Sequence, residues 1–152
     1  MEVEQLQKRY IEYVGSLFNE GYLDHLFTQL QQLQDLSNPG FVADMISTYF
    51  EESEKLLNDV TEVMDQQPID FKKVDAYVHN LKGTSSSIGA QRIRNACIAF
   101  HSSYVELNTE ACMKCVVQVK QEYAIVKEKL QNLFRLEKQI VEAGGAVPVL
   151  HN

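Results

Sequence analysis

Proline and glycine are scarce in this sequence, with 3 Pro and 7 Gly among 152 residues. Tight turns consume both, and a β-sandwich or barrel needs many turns, so the shortage points to long helices. Long apolar runs are missing too. No stretch approaches the ~18 residues that a membrane span requires. Basic charge is in deficit: 14 Lys and Arg stand against 21 Asp and Glu, for a net charge of -7. A protein that tracks nucleic-acid phosphates carries the opposite balance. Neither a nucleic acid nor a membrane is therefore expected as a partner. Met1 to Tyr10 is charged and has no apolar core of a secretory signal. The three cysteines, Cys97, Cys112 and Cys115, are accordingly expected to be free thiols in a reducing compartment.

What is present is ordinary for a globular chain, with 45% hydrophobic and 23% charged residues. That excludes a disordered, collagen-like or coiled-coil rod. The length suits one domain with its own core. We expect a single helical domain over residues 1–143 and a short tail over 144–152.

Helical spacing of apolar residues recurs along the chain. The first segment runs from about Glu2 to Asn19, with Leu6, Tyr10, Val14 and Leu17 on one side and Gly21 as its stop. A second carries Leu23, Phe27 and Leu30. Asn38 and Pro39 read as the cap and first position of a third, which runs to about Asp65. Its stripe is Val42, Met45, Tyr49, Ser53, Leu56, Val60 and Val63, and Glu51, Glu52 and Glu54 read as a solvated face. The fourth starts near Ile69 and ends at Gly89. The fifth carries Ile93, Cys97, Phe100, Tyr104 and Leu107. Asn108 or Thr109 caps a long sixth that Gly144-Gly145 ends. The expectation is an all-α fold. The four later segments would form an antiparallel four-helix bundle, with two additional N-terminal helices against its end or flank.

Chemistry concentrates in Val78-His79-Asn80-Leu81-Lys82-Gly83-Thr84-Ser85-Ser86-Ser87-Ile88-Gly89. At roughly 100° per residue, Val74, Leu81, Ser85 and Ile88 fall on the side opposite His79. Asp75, Lys82, Gly83 and Ser86 fall within roughly 60° of it. The imidazole is thus predicted to face solvent, with a lysine one turn on and no side chain at i+4. Gly costs about 1 kcal/mol relative to Ala inside a helix. Thr and Ser there compete for backbone hydrogen bonds. Local rules broken around one exposed histidine mark a functional site. The residues alone leave a plainer alternative open: an exposed His beside a Lys is common on surfaces, and Gly83 with Thr84 can simply end a helix.

The pattern His79-x-x-Lys82-Gly83-x-Ser85-x-Ser87-x-Gly89 resembles the phosphorylation motif of histidine-containing phosphotransfer proteins. The continuation through Ala90-Gln91-Arg92, with Cys112-Met113-Lys114-Cys115 and Val119-Lys120-Gln121-Glu122-Tyr123 downstream, resembles the plant branch of that family. The likeness covers most of the chain, from about Glu2 to Ile140. Asn80 stands where the plant family often has Gln, and Thr84 where Ser is usual; both bear on partner preference.

The resemblance implies that His79 accepts a phosphoryl group from the aspartate of a hybrid sensor kinase's receiver domain and passes it to a response regulator. Neutral imidazole, with an ordinary pKa near 6.5, is a competent nucleophile for this. Lys82 would offset phosphoryl charge and Ser86 would donate a hydrogen bond. Asn80, Gly83, Asp75 and Ser87 would meet the docking partner. No metal site or cofactor is expected on this chain, since Mg²⁺ would come with the receiver. By the same resemblance the protein would be a carrier rather than an enzyme. It would be a monomer, cytoplasmic and nuclear, in a relay of the cytokinin type.

Other residues carry less. His25, His101 and His151 have no paired spacing and read as surface residues. Cys112 and Cys115 form a lone C-x-x-C without a βαβ context or a second ligand pair. Arg92, Arg94 and Lys82 could form a basic patch that steers docking. Two other functions compete with the carrier. One is a helical adaptor that binds partners without chemistry. The other is a hydrolase or transferase using His79 as general base, which needs a pocket and a second catalytic group. No glycine-rich nucleotide loop is present.

Overall fold

The computed structural model of the chain describes residues 2–34, 37–38 and 40–149. Those residues form six helices: α1 (Val3–Asn19), α2 (His25–Gln32), α3 (Phe41–Met64), α4 (Phe71–Ser87), α5 (Gln91–Val105) and α6 (Thr109–Glu142). Helices α3 to α6 pack as an antiparallel bundle, and polar contacts fix its registers. Tyr49 meets Ser85 between α3 and α4 at 2.7 Å. Asp75 meets His101 between α4 and α5 at 2.9 Å. Arg92 meets Glu122 between α5 and α6 at 3.1 Å, and Lys127 returns α6 to Glu54 of α3 at 2.8 Å.

The periodicity explains the packing. Leu6, Tyr10, Val14 and Leu17 are all buried, at helical steps of four, four and three. Each such side chain removed from water contributes roughly 1.5–3 kcal/mol. They lay α1 along the second half of α6, where the Tyr13 hydroxyl donates to the Lys129 carbonyl at 2.7 Å. Helix α6 has 34 residues, roughly 50 Å. It is long enough to complete the bundle with one half and carry α1 on the other. Gly21, at φ +77°, turns the chain out of α1. The Asp24 side chain then caps α2 by accepting from the Leu26 N–H at 3.0 Å. The Asp24 N–H donates to the Gly89 carbonyl at 2.9 Å, which fastens α2 beside the α4–α5 turn.

Some local expectations fail for tertiary reasons. Asn38 is not the cap of α3: Gly40 occupies that position, and Pro39 lies outside the described residues. The missing cap comes from α2's end, where the Gln34 side chain accepts from the Val42 N–H at 3.0 Å. Within α3 the inward position is Ile46, fully buried, whereas Met45 is 37% exposed. Leu107 is not on α5's buried stripe. It lies beyond the helix at φ +58° and is 85% exposed. Helix α4 begins at Phe71, two residues after Ile69, because Asp70 caps it by accepting from the Lys73 N–H at 3.2 Å. Glu51 and Glu52 are exposed as expected, while Glu54 is tied to Lys127 and to the Tyr123 hydroxyl.

At the far end, Gly144 takes φ +87° and stops α6. The chain then lies back on α1, with the Gln7 side chain donating to the Ala146 carbonyl at 2.8 Å. Among the described residues no helix is long and apolar enough to cross a membrane.

Candidate functional site

Helix α4 buries Val74, Val78, Leu81 and Ser85 and turns its other face outward. His79, Asn80, Gly83 and Ser87 are exposed, while Asp75, Lys82 and Ser86 are half-buried around them. The two sides fall as the 100° spacing predicts. The His79 ring makes no hydrogen bond or ion pair with any described residue. The Lys82 ammonium, one turn along, makes none either among the described residues, and it lies near enough to Cys97 to favour that thiolate electrostatically.

The serine and threonine hydroxyls of α4 are all engaged within the chain. Thr84 donates to the carbonyls of Asn80 and Leu81 at 3.3 and 3.2 Å. Ser87 donates to the Thr84 carbonyl and Ser86 to the Lys82 carbonyl, each at 2.7 Å. Ser86 therefore gives its proton to its own helix, and donating to a ligand requires that bond to be released. Ser85 points inward to the Tyr49 hydroxyl, and burial pushes that phenol up to about 12. Such back-bonding weakens a helix slightly.

Gly83 differs from the hydroxyl residues because nothing inside the molecule requires it. A Cβ built there meets no atom within 4 Å. The chain thus carries a helix-weakening residue next to its exposed imidazole with no internal reason for it.

The basic patch of Arg92, Arg94 and Lys82 does not form as a free surface. Arg92 binds Glu122, whose side chain is 7% exposed, and stacks over the Tyr22 ring at 4.4 Å. Arg94 pairs with Asp24 at 3.4 Å. Both guanidinium groups hold helices together, which leaves Lys82 as the uncommitted cation nearest His79. Two further contacts surround these pairs. Glu122 also accepts from Gln118 at 2.9 Å, and Asp75, expected to face a docking partner, is instead bonded to His101. Gln118 and Glu122 lie one helical turn apart, a spacing legible in the sequence, whereas the Asp75 and Arg92 partners are 26 and 30 residues away, beyond the reach of any local pattern.

The cysteines are free; Cys97 and Cys112 are buried and Cys115 half-buried. Burial pushes the Cys97 thiol up to about 12 and the Cys112 thiol upward as well, which suppresses their thiolates. His25 and His101 are exposed, and His151 lies outside the described residues. Among the described residues no three His, Cys, Asp or Glu side chains converge on a potential metal site. Cavities of about 80 Å³ between α1, α2 and α6 and about 250 Å³ between α5 and α6 do not include His79 in their linings. The arrangement suits a reaction in which another molecule brings its own active centre to an exposed nucleophile.

Comparison with known proteins agrees with the geometry. The profile of the Hpt domain matches residues 44–136. Histidine-containing phosphotransfer protein 1 of Arabidopsis thaliana is 54% identical over 150 residues, covering 99% of this chain and 97% of that protein. Pseudo histidine-containing phosphotransfer protein 6 of the same plant is 44% identical over 144 residues, covering 94% of each. The crystal structure of a histidine-containing phosphotransfer protein from Medicago truncatula superposes with a TM-score of 0.87 at 40% identity, covering 93% of this chain and 96% of that one. An exposed histidine on the fourth helix of such a bundle, with this breadth of likeness, places the chain in the family of plant histidine-containing phosphotransfer proteins.

Proposed function

We propose that His79 is the phosphoryl acceptor of a multistep phosphorelay. It takes the group from the receiver-domain aspartate of a hybrid sensor histidine kinase and returns it to the aspartate of a response regulator. The observation that carries this reading is the unpartnered, exposed His79 ring flanked by Lys82 and the open space at Gly83. Likeness alone does not decide it, because acceptor proteins and a pseudo protein both stand among the relatives.

The step balances simply. A ring nitrogen of His79 attacks phosphorus in line. The N–P bond forms as the acyl-phosphate P–O bond breaks, and the aspartate carboxylate leaves on the partner. Such transition states are stabilised mainly by position and charge. The Lys82 ammonium offsets phosphoryl charge, and the gap at Gly83 lets the partner's acidic pocket close on the ring. Ser86 adds a hydrogen bond once its hydroxyl leaves the Lys82 carbonyl, while Asn80 and Ser87 border the approach. Mg²⁺ comes with the receiver domain. On this reading the chain acts as a phosphoryl carrier, in keeping with its Hpt domain. We propose further a relay of the cytokinin type, with the protein moving between cytoplasm and nucleus.

The test is transfer from a phosphorylated receiver domain, followed by mass spectrometry under conditions that preserve phosphoramidates. Wild type is expected to carry acid-labile phosphate on His79. His79→Gln is expected to keep its helical content and thermal midpoint and to lose all labelling. Undiminished labelling of that variant overturns the assignment. A wild-type chain that binds the receiver without being labelled is a helical adaptor instead.

A further inference from the structure

The hairpin that presents His79 is almost free of acid. Between Phe71 and Val105 the chain has one carboxylate, Asp75, and five Lys or Arg, in a protein whose net charge is -7. Asp75 lies four residues before His79 on the same face of α4. Side chains so spaced have Cβ atoms about 5–6 Å apart. An uncovered anion there repels an arriving phosphoryl group and a receiver's acidic pocket.

Asp75 is covered. The His101 ring of α5 places Nδ1 2.9 Å from Asp75 Oδ1. An ionised carboxylate can only accept, so Nδ1 carries the proton and donates it. The Asp75 side chain is 19% exposed and the imidazole 59%, so the ring lies on the outside of the pair. Tyr104, three residues on, steadies the ring at 6.5 Å between centroids. The same contact pulls the carboxylate toward α5, and Lys82 sits on the other side of His79.

We infer that His101 is a positioning residue for phosphotransfer at His79: it holds Asp75 away from the acceptor ring and masks the one negative charge on the docking hairpin. The inference rests on the phosphotransfer reading above. His101 touches neither the phosphoryl group nor the acceptor ring, and its effect passes entirely through Asp75.

The experiment is a double-mutant cycle on the initial rate of labelling by a phosphorylated receiver domain, at low salt and at high salt, with thermal unfolding recorded for each variant. For exposed charges this close, the effect is about two- to threefold and fades as salt shortens the screening length. His101→Ala is expected to slow labelling by that factor at low salt only. Asp75→Asn is expected to quicken it, and the double variant to match Asp75→Asn alone. The inference is overturned if His101→Ala slows labelling equally in the Asp75→Asn background, if its effect persists at high salt, or if Asp75→Asn is slower than wild type. Failure of the wild type to be labelled at all counts against the acceptor role of His79, so the two failures are distinguishable.

Discussion

Gly83 and Gly89 stand six residues apart, one inside α4 and the other just past its end, and they are glycines for opposite reasons. At Gly89 the chain leaves nothing free. The backbone is at φ +78°, and a Cβ there would lie 2.6 Å from the Phe27 nitrogen and 2.7 Å from Asp24 Oδ1. Its carbonyl also receives the Asp24 N–H. Both the conformation and the approach of α2 demand glycine. At Gly83 the backbone is ordinary helix and the space is empty. The Gly89 position is explained by the molecule alone, whereas nothing inside the molecule explains Gly83. Where a sequence departs from good helix-making without an internal cause, a binding event is the reading to test.

Substituting Gly89 gives the largest effect on the fold. Gly89→Ala puts a side chain into the left-handed region and against α2's backbone, at a combined cost of about 3 kcal/mol. Denaturant unfolding should show that loss. Labelling of the fraction still folded should stay near wild type. A stability unchanged by the substitution would mean that α2 is not fastened at this turn.

A second internally explained oddity, Glu137, extends the comparison to the opposite end of the molecule. Burial raises its carboxyl to about 7, opposed by the hydrogen bond it accepts from Tyr10 at 3.2 Å. Unfolded, the group ionises near its ordinary 4.5. The folded state therefore holds a proton that the unfolded state gives up. Glu137 takes stability from the fold as pH rises from 4.5, and the loss levels off above 7. Between pH 5.5 and 8 that amounts to about 2 kcal/mol. Unfolding free energies at the two pH values should show the decline in wild type and a smaller one in Glu137→Gln, which retains an acceptor for Tyr10. Equal declines would mean that the carboxyl is hydrated.

These contrasts also show what could be read from the chain. The inward faces of α1, α4 and α6, the stops at Gly21 and Gly144, the cap at Asn108 and the outward direction of His79 all depend on residues within about one turn of each other. Spacing and local chemistry are enough for them. The cap that Gln34 lends to α3, the covering of Asp75 by His101 and the clamp of Arg92 on Glu122 join segments that only the packed bundle brings together. The sequence leaves Arg92 and Arg94 open between an incidental cluster and a docking patch; their ion pairs with Glu122 and Asp24 make them braces. Met45 and Ile46 illustrate a smaller failure, since a slip of one residue, about 100°, exchanges surface for core.

The smallest stability effect is also the most discriminating. Gly83→Ala should stabilise the fold by up to about 1 kcal/mol, because alanine is the better helix former and meets no obstacle. If the gap at Gly83 exists for a partner, the same methyl group should slow labelling by a charged receiver domain several-fold. Gly15 supplies the control: it too lies within a helix, α1, and its Cβ position is empty. Gly15→Ala should give a similar gain in thermal midpoint with labelling unchanged. A stabilised Gly83→Ala that accepts phosphate at the wild-type rate would place Gly83 with Gly15, as a tolerated weakness with no tie to docking. Stability and transfer moving in opposite directions at Gly83, and stability alone moving at Gly15, would separate a glycine kept for a partner from one merely permitted by the fold.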